Sequence, residues 1–174
     1  MDALPAKAPV VERLVGVGGQ EQAGRVPAQF QAQGQGGWRQ VLGSGRQRLK
    51  SVLTDQSVVA GIGNAYSDDI LHAARLSPFA GAGALDDERL ERLRDAVVLV
   101  LGNAVQQAVG RAPDELKDAK RGRMRVHGRT GQACEVCGDT IAEVSYTDSS
   151  FQYCPTCQTG GQKLADRRLS RLLK

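Results

Sequence analysis

Aromatic residues are scarce in this 174-residue sequence: one Trp, three Tyr and three Phe make up 4% of the chain. Any core must therefore be aliphatic and modest in size. Long apolar runs are also missing, and nothing approaches the ~18 consecutive apolar residues of a membrane-spanning helix. The first residues show neither the charged region nor the apolar stretch of a secretory signal. These absences predict a reducing cytoplasmic setting and no membrane partner. Histidine is limited to His72 and His127, far apart in sequence and without a Cys or Ser partner for nucleophilic catalysis, so both read as surface or hydrogen-bonded residues. No internal repeat is visible beyond two paired-cysteine motifs.

Those motifs carry the most specific chemistry. Cys134 and Cys137 form one Cys-x-x-Cys pair and Cys154 and Cys157 a second, with sixteen residues between them. Two intervening residues let a tight turn aim both sulfurs at one ion, and sixteen are enough for two short strands and a loop to bring the second pair back. The spacing predicts one zinc ion held by four thiolates in a clipped β-hairpin. Two disulfides would suit a secreted chain, and a redox dithiol would use one pair beside a βαβ pattern. Four sulfur ligands leave no open coordination position, so the zinc is expected to be structural. It would supply folding free energy that Ile141, Val144, Tyr146, Phe151 and Tyr153 are too few to provide.

Charge is unevenly placed. The net +4 divides into +3 over residues 1–60, −3 over 61–114 and +4 over 115–174. Its densest run is Lys117, Lys120, Arg121, Arg123, Arg125 and Arg129 against Asp118, directly before the cysteines, and a tail with Lys163, Arg167, Arg168, Arg171 and Lys174 follows them. A polyanion is the natural partner, although charge alone is equally compatible with a solvated surface.

Residues 1–45 hold nine glycines and seven glutamines and read as a flexible segment. A helix is expected from about Gln47 to Asp55, and a second from Asn64, as N-cap, to the Ser77-Pro78 stop. A third should run from about Asp86 to Val109, opened by Asp86, Asp87 and Glu88 at the positive end of its dipole and burying Leu90, Leu93, Val97, Leu101, Ala104 and Ala108. Asp68 and Asp69 read as solvated or dipole-complementing carboxylates. The predicted organisation is a mainly α unit over 46–112, a basic segment and four-Cys zinc finger with a small β-hairpin over 113–160, and a basic tail over 161–174. Between the first two helices, Gly61-Ile62-Gly63-Asn64 exposes backbone N–H groups where a helix dipole favours an anion, so a phosphate fits there. The same residues would equally serve a turn and a cap and nothing more.

Leu49 through Asp69, with Lys50 and Gly61-Ile62-Gly63-Asn64 inside it, resembles the helix-two-turn-helix signature of the formamidopyrimidine-DNA glycosylase/endonuclease VIII family. Val126-His127-Gly128-Arg129 leading into the cysteine pairs is similar to that family's C-terminal zinc finger. The resemblance spans roughly residues 40–160. It implies that Asn64 and the Gly61–Gly63 backbone grip a DNA phosphate, that Lys50 lies toward the DNA, and that the partner is duplex DNA, damaged or abasic in the family's usual substrates; Arg123, Arg125 and Arg129 of this chain are further candidates for phosphate contacts. The family opens Met-Pro-Glu-Leu-Pro-Glu, with proline amine as nucleophile and glutamate as acid/base. Here Met1-Asp2-Ala3-Leu4-Pro5-Ala6 puts Asp2 and Ala3 at those positions, and Ser149 stands where the family's hairpin usually has an arginine. The expectation is a monomeric DNA-binding half without catalysis of its own, paired with a separate catalytic chain if it serves repair. The alternatives are a glycosylase or abasic-site lyase using another amine, and a zinc-ribbon adaptor for protein or RNA.

Overall fold

The structure is a computed structural model, and it describes residues 35–42, 46–109, 124–146 and 149–164. In chain order its elements are α1 (Gln35–Leu42), α2 (Leu49–Thr54), α3 (Asn64–Ala74), a 3₁₀ turn (Ala82–Ala84), α4 (Asp87–Ala108), β1 (Ala142–Ser145), β2 (Ser150–Tyr153) and α5 (Pro155–Thr159). The architecture is mainly α with a two-stranded antiparallel hairpin, as expected from the sequence. Among the described residues, no helix is long and apolar enough to cross a membrane.

The longest helix follows the rules its sequence announces. Asp86 is the N-cap, its carboxylate accepting from the Arg89 amide at 2.8 Å, and Asp87 and Glu88 occupy the first turn. Leu90, Leu93, Val97 and Leu101 recur on one face and are buried, the spacing of an amphipathic helix. Ala104 and Ala108, expected in the same stripe, are only half-buried and line a shallow pocket with Gly61 and Tyr66.

This face packs on α3, and α1 packs on α4 in turn. One cluster of buried side chains joins Trp38 and Leu42 of α1, Leu49, Val52 and Leu53 of α2, Ile62, Ile70, Leu71 and Ala74 around α3, and the apolar side of α4. The inclusion of Trp38 and Leu42 corrects the reading of 1–45 as uniformly flexible, because Trp38, Val41 and Leu42 share one side of a short helix and the core receives it. Residues 1–34 lie outside the described residues, as do 110–123, with Arg123 and most of the basic run, and the tail 165–174.

The hairpin pairs Ala142 with Tyr153, Glu143 with Gln152, Val144 with Phe151 and Ser145 with Ser150. Alternation puts Val144, Phe151 and Tyr153 into a small aromatic cluster with Phe79 and Tyr146. Phe79 meets Phe151 edge to face, with centroids 5.6 Å apart. The short helix α5, absent from the sequence expectation, starts with Pro155 at its first position and ends at Gly160 in the left-handed region.

Candidate functional site

The turn between α2 and α3 is tied by one side chain. Gln56 donates through Nε2 to the Ile62 carbonyl at 2.9 Å and accepts the Gly61 N–H at Oε1 at 3.0 Å. Gly61 sits at φ +94° and needs to be glycine, whereas Gly63 has φ −94° and ψ −178°, an extended backbone open to any residue. The Gly61 amide, expected to face a phosphate, is thus used inside the turn, and the open start of α3 is formed by Gly63 and Asn64. Gly63, rather than Asn64, is the N-cap residue. The Asn64 side chain makes no capping bond; its Nδ2 reaches across to the Ser150 carbonyl of β2 at 2.7 Å.

Asn64 begins a polar stripe. Asn64, Asp68 and His72 recur every four residues along α3 and so share one face. That face is where the finger is mounted. The buried Asp68 carboxylate pairs with Lys50 Nζ, faces His127 Nδ1 at 2.7 Å and accepts the Gln152 amide at 3.3 Å. Beside it, Asp69 accepts the backbone N–H groups of Arg125, Val126 and His127 at 2.9, 3.1 and 3.3 Å. Burial raises the Asp69 pKa above the ordinary carboxylate value, while those three amides pull the other way. The two aspartates, expected in solvent, are buried hinges between helix and finger, each pointing to its own set of partners.

Lys50 is buried as well. Its Nζ bonds the Asn64 carbonyl at 3.0 Å, Ser67 Oγ at 2.9 Å and Asp68 Oδ1. Three acceptors match the three N–H bonds of an ammonium. Burial draws its pKa below the ordinary value, with Asp68 opposing. Arg125 and Arg129 both pair with Glu135 on the finger.

A cleft of about 610 Å³ lies between the two units. The helical side contributes Arg48, Lys50, Thr54, Gly63 and Asn64, and the hairpin side Tyr146, Ser149, Ser150 and Phe151. Arg48 did not stand out in the sequence. Its guanidinium lies 3.9 Å from the Phe79 ring centroid and donates to Tyr146 Oη at 3.1 Å, holding a cation at the rim. The alternation Arg46, Arg48, Lys50 ahead of the turn was the available signal.

The cysteines converge. Cys134 Sγ is 3.9 Å from Cys157 Sγ, and Cys137 Sγ is 3.3 Å from Cys154 Sγ. A tetrahedron of sulfurs at about 2.3 Å from zinc has edges of about 3.8 Å, and these two separations lie on either side of that edge. Burial and the neighbouring thiols push the Cys154 pKa up to about 12 and raise Cys157 in the same direction. At the exposed Cys137 desolvation acts upward too, but the Asp139 amide and adjacent thiols bring the net value below that of an ordinary thiol. Buried thiols of this kind become thiolates readily when a divalent cation shares their charge. His72, Cys134, Cys154 and Cys157 also place their ligand atoms within 4.8 Å of one another. The His72 imidazole is buried, and desolvation lowers its pKa to about 4, leaving it neutral.

The formamidopyrimidine-DNA glycosylase H2TH domain matches residues 26–113. A formamidopyrimidine-DNA glycosylase-like protein of Mycobacterium tuberculosis, itself described as uncharacterized, is 61% identical over 127 residues, covering 73% of this chain and 80% of that protein. The chain belongs to the formamidopyrimidine-DNA glycosylase family. The family's glycosylase of Acaryochloris marina is 35% identical over 127 residues, which are 70% of this chain but 44% of that enzyme. Among solved structures, the Thermus thermophilus enzyme aligns with TM-score 0.64 and 34% identity, over 75% of this chain and 51% of that one. The Lactococcus lactis glycosylase bound to abasic-site DNA aligns with TM-score 0.66 and 26% identity, over 77% and 48%. The chain thus spans about half the length of the curated family enzymes, in keeping with its resemblance to their C-terminal half.

Proposed function

We propose that this chain is a zinc-clipped module that binds duplex DNA through backbone phosphates without catalysis of its own. The observation that carries the reading is the cleft itself, where the helical turn and the hairpin meet and Asn64 bridges them. The open amides at the start of α3 favour an anion, and Arg48 supplies a cation already oriented by Phe79 and Tyr146. Phosphate contacts of this kind fix position without reading bases. Ser149 adds no charge at the hairpin rim, so the grip falls on the helical side. The family membership and the DNA-bound Lactococcus structure support the same partner.

Zinc is the ion proposed for Cys134, Cys137, Cys154 and Cys157. With four sulfurs its shell is closed, so when bound it supplies folding free energy and leaves the contact with DNA to the side chains. Lys50 is the lysine lining the cleft, and its amine is committed to three acceptors, so a Schiff base at this amine would require breaking the Asp68 pair.

The test combines binding with trapping. On a zinc-loaded sample, log K for duplex DNA should fall with log salt by about 0.9 per phosphate neutralised. Asn64→Ala should weaken binding without changing sequence preference. Borohydride with abasic-site DNA should give no covalent adduct. An affinity indifferent to salt would sink the DNA reading, and a trapped adduct would sink the non-catalytic part of it.

A further inference from the structure

One member of the polar stripe has no part in the cleft. His72 is 2% exposed and sits two turns along α3 from Asn64. Its Nε2 lies 3.3 Å from Cys134 Sγ, while its Nδ1 is buried with no hydrogen-bond partner among the described residues. Two roles compete for such an imidazole beside a metal shell. A histidine that ligates through Nε2 carries its proton on Nδ1, and that N–H almost always meets a carboxylate, carbonyl or water. Here it would meet no acceptor among the described residues. With the proton on Nε2, the N–H points at sulfur and Nδ1 is left as a bare lone pair, the less demanding of the two orphans. Four cysteine thiolates, moreover, suffice by themselves for the four ligands of a tetrahedral zinc site.

We infer that His72 is a positioning residue of the metal centre, donating Nε2–H to the thiolate of Cys134 and so fastening the ion's shell to the helix whose other end carries Asn64. The inference rests on the metal-binding reading above. Four thiolates around a dication leave a doubly negative shell, and an N–H directed at one sulfur draws off part of that charge. The bond therefore holds Cys134 in the shell and shields it from electrophiles. Because Cys134 is otherwise attached through its own knuckle, His72 is the direct link from α3 to a ligand sulfur.

Co2+ is the probe, added to the full chain in place of zinc. Wild type should show sulfur-to-cobalt charge-transfer bands and the d–d pattern of a four-sulfur site. His72→Phe should move the charge-transfer bands to lower energy and weaken Co2+ binding about 10-fold, the low end of what loss of an outer-shell partner costs. His72→Gln, whose Nε2 can donate from nearly the same place, should restore both. Should His72→Phe fail to fold, as read from Trp38 emission, His72→Leu takes its place in the comparison with Gln. Unchanged bands and affinity in the apolar variant overturn the inference. A wild-type pattern of three sulfurs and one nitrogen overturns it too, by making His72 a ligand. A wild type without sulfur-to-cobalt bands overturns the metal reading, and the inference with it.

Discussion

The helical unit and the finger are held by different physics. The helical unit closes on one cluster of eighteen buried side chains from four helices and their connections. The finger has two fragments instead, Val126, Cys134, Ile141 and Cys154 in one and Val144, Phe151 and Tyr153 in the other. A two-stranded hairpin with so little apolar contact is marginal in water. What completes the finger is the cluster of four thiols on one side and the polar stripe of α3 on the other. The difference teaches that α3 has two jobs on two faces: Ile70, Leu71 and Ala74 build the core, while Asn64, Asp68 and His72 carry the finger.

Removing the metal should break this comparison most visibly. Chelation, or Cys154→Ser, should cost the finger on the order of 10 kcal/mol of apparent folding free energy. The chain's single tryptophan, Trp38, is buried in the helical core, and Tyr146 and Tyr153 belong to the finger. The near-UV circular dichroism of Tyr146 and Tyr153 should therefore be lost, leaving the share of Tyr66 on α3, while Trp38 emission keeps its position. A simultaneous red shift of Trp38 would show that the two units fold as one.

Next in size is the hinge. Asp68→Ala leaves the buried Lys50 ammonium without its carboxylate and should cost about 3–5 kcal/mol in urea denaturation. Because Lys50 belongs to α2, this loss should register at Trp38 as well as in the finger, unlike metal removal. A loss under about 1 kcal/mol would mean that the pair behaves as an exposed one.

The smallest effect separates the two glycines of the turn. Gly61→Ala forces a Cβ into φ +94° and should cost about 1–2 kcal/mol. Gly63→Ala meets open space in an extended backbone and should stay within about 0.5 kcal/mol in the same denaturation assay. Equal losses would argue that Gly63 is also held to glycine by its surroundings.

Much of this was legible before any coordinates. The acidic opening of α4, its buried face and the convergence of the cysteine pairs depend on residues a few positions apart, where the helix dipole, 3.6-residue periodicity and knuckle spacing act directly. α1 was missed because eight residues in a Gly- and Gln-rich stretch carry too little periodicity to announce a helix, and only the core makes use of Trp38. The aspartates were misread because adjacent carboxylates on a short helix are normally solvated, and what buries them lies 56 to 84 residues away in the chain.

The three helices around the turn, the meeting of the four thiols and the family resemblance follow from local geometry and spacing and were set by the sequence alone, whereas α1 and α5 were not. Only the tertiary structure decided that Lys50 turns inward to Asp68, that Gln56 takes the Gly61 amide, that Asn64 bridges to Ser150 and that His72 reaches Cys134. A polar side chain becomes an anchor or an ion-pair partner only when a distant segment arrives to desolvate it and complete its hydrogen bonds, and no spacing along the chain records that arrival.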